Sequence, residues 1–463
     1  MLHLAMFEPR SNVSIERPWT RYLFNDPWAT SAYKAIVALS VAIRLVALFA
    51  VRNVPLASDA QDYCHMARQL LSGQLFVPYW PPGTSIYLIP FVAARAPDVV
   101  LRFAILPFWL ICCWGLYRLM SAMGTQGIAW LVLLVFSSLP DSIHLSIEPV
   151  TPMPVAALLI VALSSVVKAL QGAPVSEYLL MGCSLGFMSL IRPSSLPLVV
   201  LLPIACFLVT RRFYLGLVSA VFGMFLVCCW MFHAHTLTGK WIINTANAKN
   251  MYYGNNPWTP LYRTWYFGSH AKPGTDEIKN FPEFEQVMKR IDDLPALNQP
   301  AAFQALTTSY IRNHPGQFLV RSSSRVRCFF GFDIFTAAAL KNTRWRGVRL
   351  FPLVLAWEAL VYFLLVGTSI FWIAQAQGSF WREPSNAIIL ATVVIYSAPY
   401  WLSMSHPTYH YPILLPLAVL GVSAWKMSAQ QSRHRLRGWI AIVALLLVQV
   451  EWVWQMSRTA TAS

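Results

Sequence analysis

The sequence predicts an all-α polytopic membrane protein, a bundle of about eleven transmembrane helices with interfacial helices in its first external loop. Of its 463 residues, 57% are hydrophobic and 12% are charged, whereas a typical soluble domain has a charged fraction of about 25%. Many apolar runs approach or exceed the ~18 residues that cross a bilayer as one helix. The first ~30 residues are polar and charged rather than a cleavable signal peptide, so we expect the first apolar run to act as an uncleaved anchor.

The distribution of Lys and Arg predicts the orientation of these spans. With the N-terminus inside, the loops that carry Lys168, Arg211 and Arg382 all face the cytoplasm, as the positive-inside rule requires. The net charge of +16 then reflects topology and contact with anionic lipid, and no basic stripe indicates nucleic-acid binding. The predicted spans are 33–51, 98–120, 126–140, 149–167, 177–192, 195–210, 213–233, 350–374, 385–402, 409–426 and 438–456.

This topology divides the chain into three regions and predicts two substantial external segments. In the second of these, Asn298 is expected to cap a helix that runs to about His314, before Pro315. Cys64 and Cys328 lie outside the apolar runs, where free thiols are expected rather than a disulfide, and no cysteine spacing resembles a zinc site. The regions are 1–233, which contains the first external loop 52–97, then the external region 234–349, and the C-terminal spans 350–463.

The first external loop contains the most informative stretch, SDAQDYCHMARQLLSGQLFVPYWPPG at 58–83. Ser58 and Gln61 form a capping-box pattern, apolar residues follow at helical spacing on one face, and Gly73 is a natural helix end. These features predict a helix that lies in the membrane interface. A rigid Trp-Pro-Pro-Gly turn then leads into a second apolar helix, 84–94, too short to span. Two surface helices joined in this way would form a shelf over a cavity.

Asp59 is the candidate base of this loop. It falls in the first turn of the predicted helix, where the helix dipole favours an ionised carboxylate. A carboxylate held ionised at the lipid–water boundary suits a general base or a cation ligand. The alternative is that Asp59 only stabilises the helix start and that Asp62 is a solvated side chain. We assign no metal ligand and no cofactor, although Asp59 and Asp62 could share a divalent cation. The sequence has no G-x-x-x-x-G-K phosphate loop, which argues against direct use of ATP.

The order Asp59-Ala60-x-Asp62-Tyr63, followed by Pro81-Pro82-Gly83, resembles the first periplasmic loop of bacterial GT-C glycosyltransferases. That superfamily includes protein O-mannosyltransferases and the aminoarabinose transferases that modify lipid A. The segments 244–257, 305–325 and 409–414 resemble later parts of the same proteins. The lipid A transferases have an acidic-basic pair just before the two prolines, where this chain has Tyr79-Trp80, and Trp80 could instead stack on a sugar.

The resemblance implies an enzyme of the bacterial inner membrane with its active site facing the periplasm. It would move one sugar from a polyprenyl-phosphate donor to an envelope acceptor such as lipopolysaccharide, O-antigen or another glycan or glycolipid. Asp59 would be the general base, with inversion at the anomeric carbon. Two alternatives stay open, namely a transporter or flippase for lipid-linked glycans and an O-antigen polymerase or ligase. Transporters usually have their polar sites at the membrane midplane, whereas the polar residues here concentrate outside.

Further candidates lie in the other external segments. Glu148 and His144, in the short second external loop, could reach the same cavity, although Glu148 could also simply cap a span. External Arg residues oppose the positive-inside trend and could hold the donor phosphate, the alternative being anionic lipid headgroups; Lys341, Arg344, Arg346 and Arg349 belong to this basic cluster. The predicted catalytic residues are Asp59, Asp62 and Glu148, and the predicted substrate-binding residues are Tyr63, Trp80, His144, Arg192, Arg321, Arg325, Arg327, Tyr409 and His410. Within the spans, Arg44 and Glu358 are expected to pair with each other, because isolated charges there are costly.

Overall fold

A computed structural model describes residues 27–261, 280–428 and 435–460, and it confirms the all-α prediction. The N-terminal region contains α1 (Pro27–Ala50), α2 (Ser58–Ser72), α3 (Pro82–Ala93), α4 (Asp98–Phe103), α5 (Leu106–Ala122), α6 (Ala129–Ser137), α7 (Pro140–Leu145), α8 (Pro152–Leu170), α9 (Val175–Ile191), α10 (Leu196–Thr210) and α11 (Phe213–Thr238). Short 3₁₀ turns, Gln126–Ile128 and Pro193–Ser195, precede α6 and α10.

The external and C-terminal regions are also helical, apart from one small exposed hairpin. The external region contains α12 (Ala246–Gly254), α13 (Pro282–Asp292), α14 (Gln299–Asn313), α15 (Pro315–Phe329), α16 (Phe335–Ala339) and the antiparallel strands β1 (Arg344–Trp345) and β2 (Val348–Arg349). The C-terminal region contains α17 (Leu350–Tyr362), a π-helical turn Phe363–Gly367, α18 (Thr368–Gln375), α19 (Gly378–Arg382), α20 (Pro384–Leu402), a 3₁₀ helix Pro407–Ile413, α21 (Leu414–Ser428) and α22 (Arg435–Ala460).

Every predicted span is helical, so the polytopic prediction is confirmed. Two of the predicted spans form apolar helices shorter than the others, Gln126–Ser137 and Val175–Ile191, and the segment expected not to span forms the short helix Pro82–Ala93. Within the described ranges, nine helical segments are long and apolar enough to cross a membrane: Trp28–Ala50, Asp98–Ala122, Pro152–Leu170, Pro193–Thr210, Phe213–Thr238, Leu350–Gln375, Pro384–Leu402, Pro407–Ser428 and Arg435–Trp454.

Helix α8 lies at the centre of the bundle, and nearly all of its side chains are buried. It packs against α5 and α9, and α9 packs in turn against α11. Gly182 and Gly186 allow that last contact, because a Cβ on either glycine would collide with the backbone of α11 at Ser219 or Gly223. Small residues at helix crossings let backbones approach closely, which is how helices gain packing energy in a membrane.

The expected pair of intramembrane charges, Arg44 with Glu358, is wrong. A guanidinium nitrogen of Arg44 donates to the hydroxyl and the carbonyl of Ser142, at 2.9 and 3.1 Å, and the group lies 3.3 Å from the centre of the Trp109 ring. Glu358 accepts from the backbone nitrogen of Asp141 at 3.0 Å. Both charges therefore bind helix α7, and they are stabilised by polar groups of its backbone and side chains rather than by each other.

The first-loop helix has the predicted extent but not the predicted cap. Ala57 precedes its first turn, no side chain of a described residue caps that turn, and Ser58 has a positive φ of 52°. The capping box is therefore not formed. Gly73 ends the helix as predicted, with a φ of 64° in the left-handed region that glycine adopts without strain. Cys64 and Cys328 are both buried free thiols, as expected. The helix predicted after Asn298 is α14, with the predicted bounds, but the side chain of Asn298 makes no capping hydrogen bond.

Candidate active site

A cavity of about 680 Å³ lies beside the first-loop helix. Its walls come from α2, the turn before α3, the junction of α9 and α10, helix α12, the C-terminal end of α20 and the 3₁₀ helix before α21. The cavity therefore joins the first external loop to segments up to 350 residues away in the sequence. Its described lining includes five predicted site residues, Asp59, Tyr63, Trp80, Arg192 and Tyr409, together with Thr151, Ser194, Asn244, Asn247, Asn250, Tyr400 and Ser403.

Asp59 and Tyr63 line the cavity from one face of helix α2, because residues four apart share a helix face. The Tyr63 side chain is 3% exposed. Burial raises the pKa of Tyr63, the charge of Asp59 raises it further, and the charge of Arg192 opposes that shift. The Tyr63 hydroxyl is therefore neutral at physiological pH, and it lies within electrostatic range of both charged groups of the cavity.

Trp80 forms an aromatic part of the cavity wall and is held by Asp62. Its indole nitrogen donates to a carboxylate oxygen of Asp62 at 3.1 Å. The rings of Tyr79 and Tyr63 lie 4.9 and 6.1 Å from the ring of Trp80, centre to centre. Asp62 is not itself among the lining residues. In the described part of the chain, no group of three or more His, Cys, Asp or Glu side chains is placed to hold a metal ion.

Arg192 is the cation of the cavity, and neutral groups hold it in place. Its Nε donates to the Thr151 hydroxyl at 2.9 Å, and its Nη1 donates to the hydroxyls of Tyr400 and Tyr396 at 3.2 and 3.4 Å. The guanidinium carbon lies 5.0 Å from the centre of the Tyr409 ring. Among the described residues, no carboxylate lies within ion-pair distance of Arg192, and its Nη2 makes no hydrogen bond. The guanidinium group of Arg192 is therefore oriented by neutral hydroxyl groups, and no acidic side chain of the described residues neutralises its charge.

Two close backbone contacts bring the walls together. A Cβ at Gly83 would lie 2.7 Å from the backbone nitrogen of Ile191, so glycine lets the start of α3 reach the end of α9. At Gly254 a Cβ would collide with the carbonyl of Ser403, so glycine lets the end of α12 reach the end of α20. Backbone bonds also join Thr245 and Ala246 to the carbonyls before Trp80. Helix α2 and the turn before α3 thus form one side of the cavity, where the sequence predicted a shelf. Helices α12 and α20 form the facing walls.

Arg321 and Arg325 bind the backbone instead of lining the cavity. Arg321 donates to the carbonyls of Asn256 and Thr259. Arg325 donates to the carbonyl of Leu402 at 3.0 Å and to that of Gly254. Both guanidinium groups are buried, and they fix the segment that follows α12 against α15 and α20. Neither arginine is itself a lining residue, and Arg325 binds the lining residue Leu402, so they support the wall of the cavity.

The remaining predicted site residues also lie outside the cavity lining. Glu148 pairs with Arg102, with Oε1 2.7 Å from Nε, and Arg102 also donates to the carbonyl of Val54 at 2.5 Å. His144 lies in α7, where burial lowers its pKa. Arg327 pairs with Glu451 of α22 at 3.0 Å. His410 is buried, and its Nδ1 lies 2.5 Å from the Phe329 carbonyl. The four cations of the basic cluster, Lys341, Arg344, Arg346 and Arg349, are exposed around the hairpin β1–β2.

Several lining residues were not singled out in the sequence. Tyr400 lines the cavity and stands four residues after Tyr396, which also binds Arg192. This spacing resembles an ordinary aromatic belt at a membrane surface. Asn244, Asn247 and Asn250 recur every three residues, and this regular spacing of amides was visible in the sequence. Thr151 and Ser194 gave no signal, because single hydroxyl residues at span ends are common.

No protein-family model and no curated protein matches the sequence. Among solved structures, the chain resembles the archaeal oligosaccharyltransferase AglB from Archaeoglobus fulgidus, determined in complex with an inhibitory peptide and a dolichol-phosphate. The TM-score is 0.46 and the sequence identity is 13%, over 92% of this chain and 54% of that protein. The chain therefore spans about half the length of the protein that it resembles. The function is accordingly inferred from the cavity residues.

Proposed function

We propose that this protein is a membrane glycosyltransferase of the GT-C type that transfers a single sugar from a polyprenyl-phosphate donor to an acceptor hydroxyl. The observation that carries the proposal is that Asp59 and Arg192 line one cavity of about 680 Å³ beside membrane-spanning helices. This reaction needs a base for the acceptor and a cation for the leaving phosphate. A cavity of this size suits a small polar ligand such as a monosaccharide with its phosphate.

In the proposed reaction, Asp59 takes the proton of the acceptor hydroxyl as that oxygen attacks the anomeric carbon. The new bond from the acceptor oxygen to carbon forms on the face opposite the phosphate, while the bond from carbon to the phosphate oxygen breaks. The products are the inverted glycoside, a polyprenyl phosphate and a protonated Asp59 that returns its proton to water. Its place in the first turn of α2 supports this role, because the helix dipole favours the ionised carboxylate.

Arg192 stabilises the departing phosphate in this proposal. The phosphate gains negative charge as the bond breaks, so a fixed cation stabilises the transition state more than the ground state. Thr151, Tyr396 and Tyr400 hold the guanidinium through Nε and Nη1, which orients the group before the donor arrives. A planar guanidinium can give two parallel hydrogen bonds to phosphate oxygens, and Nη2 is available for one of them.

The acceptor is proposed to be an envelope glycan or glycolipid, and the cavity is proposed to open on the periplasmic side of a bacterial inner membrane. The charge distribution supports this orientation. Arg118, Lys168 and Glu177 form an ion-paired group on α5, α8 and α9, at the helix ends opposite the junctions that line the cavity. Cations at that side agree with a cytoplasmic location.

A direct assay tests the proposal. The purified protein, in nanodiscs, is mixed with synthetic polyprenyl-phosphate sugars and a lipid-extracted envelope acceptor fraction, and release of polyprenyl phosphate is followed by mass spectrometry. We expect release by the wild type and none by Asp59→Asn, with both variants equally folded by size-exclusion chromatography. Release that is equal in the two proteins contradicts the assignment of the base. Movement of intact donor across sealed vesicles, without release, would instead identify a flippase.

A further inference from the structure

Besides the charged residues Asp59 and Arg192, the cavity has an uncharged polar wall that is formed by asparagines. Asn244, Asn247 and Asn250 all contribute to the lining; Asn247 and Asn250 lie in α12, and Asn244 lies two residues before it. An amide side chain offers two donors and one acceptor with two lone pairs and carries no charge. This combination matches sugar hydroxyls, which both donate and accept hydrogen bonds.

The orientation of two of these amides is fixed by the protein. The amide nitrogen of Asn247 donates to the side-chain oxygen of Asn244 at 3.2 Å, and the nitrogen of Asn244 donates to the carbonyl of Tyr79 at 3.3 Å. Among the described residues, no group forms a hydrogen bond with the side chain of Asn250, which is half-buried at the cavity. Since polar groups that become buried without a partner are costly, this amide is suited to bind a ligand that fills the cavity.

The charged groups of the lining limit the ligand further. Of the described lining residues, Asp59 and Arg192 alone carry charge. A cationic sugar would have Asp59 as its partner, and that pairing would make the carboxylate a weaker base. An anionic sugar would compete with the donor phosphate for Arg192. A sugar of either charge would therefore engage a group that the proposed reaction needs, so a charged sugar fits this cavity poorly.

Trp80 gives the lining an aromatic part near these amides, since Asn244 binds the carbonyl of Tyr79. Trp80 donates a hydrogen bond to Asp62 and packs against the rings of Tyr63 and Tyr79, so its ring is ordered before a ligand binds. An ordered ring can pack against the C–H face of a sugar at little entropic cost. Hydroxyl-binding amides and a fixed aromatic ring together make a site for an uncharged pyranose or furanose.

We infer that the donor carries a neutral sugar and that the side chain of Asn250 binds one of its hydroxyls. This inference rests on the proposed function and adds to it the class of sugar and a specificity-determining residue. Asn244 and Asn247 act with Asn250 as one polar face, in which the first two are held by hydrogen bonds within the protein.

A donor panel tests the class of sugar. Donors with the same polyprenyl phosphate carry either a neutral hexose, the matching uronic acid or the matching amino sugar with a free amine. We expect the wild type in nanodiscs to prefer the neutral donor at least tenfold in kcat/KM. Equal or better transfer of a charged donor overturns this inference and leaves the proposed function standing. If no donor of any charge reacts while the protein is folded, the proposed function itself is wrong.

A deoxy-sugar series tests the role of Asn250. For the neutral donor, Asn250→Ala is expected to lower kcat/KM three- to tenfold, the usual effect of one lost uncharged hydrogen bond. The matched control Asn313→Ala, at an exposed position at the end of α14, should leave it unchanged. The donor that lacks the hydroxyl bound by Asn250 should have a lower kcat/KM than the parent donor in the wild type. In Asn250→Ala, the two donors should have equal kcat/KM. The inference is overturned if the two proteins respond alike to every deoxy donor, a result that is independent of small losses in stability.

Discussion

The indole nitrogen of Trp80 donates a hydrogen bond to Asp62 across 3.1 Å, and this contact joins the turn before α3 to the helix that carries Asp59. Asp59 and Asp62 are three residues apart in α2 but differ in location, because Asp59 lines the cavity and Asp62 does not. The two carboxylates thus have separate tasks in the proposed site. Asp59 is proposed to contact the substrate, and Asp62 positions an aromatic wall.

Substitution of the two carboxylates should therefore have different effects. Asp59→Asn is expected to lower turnover 10²–10⁴-fold, the usual contribution of a general base, with little effect on donor binding. Asp62→Asn keeps a side-chain oxygen that can accept from Trp80, so turnover should fall less than about fivefold. Steady-state kinetics on both proteins measure the contrast. More than a third of wild-type turnover in Asp59→Asn would remove Asp59 from the mechanism.

Trp80 itself can be tested by two replacements. Trp80→Phe keeps an aromatic ring but loses the hydrogen bond to Asp62, whereas Trp80→Ala removes the wall. Aromatic contacts contribute about 0.5–1.5 kcal/mol beyond the area they bury, so we expect KM for the donor to rise about tenfold in Trp80→Ala and less in Trp80→Phe. Equal KM values for wild type and Trp80→Ala would show that the ring does not contact the donor.

The fold and half of the site were readable from the sequence, for different physical reasons. Apolar runs long enough to span a bilayer predict transmembrane helices directly. The residue pattern around Asp59 predicted helix α2, its end at Gly73 and the turn at Trp80. The role of the basic residues was not readable. Arg192, Arg321 and Arg325 have the same side chain in polar surroundings, and their difference depends on which backbone carbonyls lie within reach after folding. Such tertiary partners leave no local pattern.

Substitutions of Arg192 and Arg325 should affect different quantities, turnover in the first case and thermal stability in the second. Arg192→Ala is expected to lower turnover tenfold or more, which corresponds to about 1.4 kcal/mol of barrier, while the thermal midpoint changes little. Arg192→Lys should recover part of the loss, because it restores the charge without the planar fork. Arg325→Ala should instead lower the thermal midpoint, since it leaves the carbonyls of Gly254 and Leu402 without their donor.

As controls, the exposed residues Arg344, Arg346 and Arg349 of the hairpin should each tolerate Ala with turnover within twofold of the wild type. A strong loss of turnover in one of these variants, with Arg192→Ala active, would move the phosphate site to the hairpin. Thermal midpoints and turnover are measured on the same preparations, so that loss of fold and loss of function can be told apart.

The pair Arg102–Glu148 should behave as a structural unit. The Arg102 side chain is 2% exposed and that of Glu148 is 15% exposed, so Glu148→Ala leaves a buried charge without its partner. Removal of one member of a buried pair typically costs about 3–5 kcal/mol. We expect a clearly lower thermal midpoint for Glu148→Ala, and partial recovery in the double variant Arg102→Met, Glu148→Ala. Normal stability combined with loss of turnover would favour the catalytic role that the sequence suggested for Glu148.

His406 should make the stability of the protein depend on pH. Burial lowers the pKa of His406 to about 4, and its Nδ1 accepts from the backbone nitrogen of Thr408 at 3.2 Å. A histidine with a folded pKa below its unfolded value, ~6.5, destabilises the fold as pH falls, because the unfolded chain binds the proton first. Between pH 7.5 and 5 this effect amounts to about 2 kcal/mol. Burial and the charges of Asp333 and Glu358 raise the pKa of Asp141. This shift makes the fold more stable as pH falls, which is opposite to the effect of His406. The pH dependence of the wild type alone therefore does not isolate His406.

The informative comparison is therefore between the wild type and His406→Gln. Glutamine keeps an acceptor near Thr408 and does not titrate, so the trend from Asp141 is common to both proteins and cancels in the difference. The stability of the wild type relative to His406→Gln should fall by about 2 kcal/mol from pH 7.5 to 5, as measured by unfolding of the protein in detergent at each pH. A difference that stays constant over this range would mean that folding does not shift the pKa of His406. A difference that grows in favour of the wild type as pH falls would mean that its buried surroundings stabilise the protonated ring.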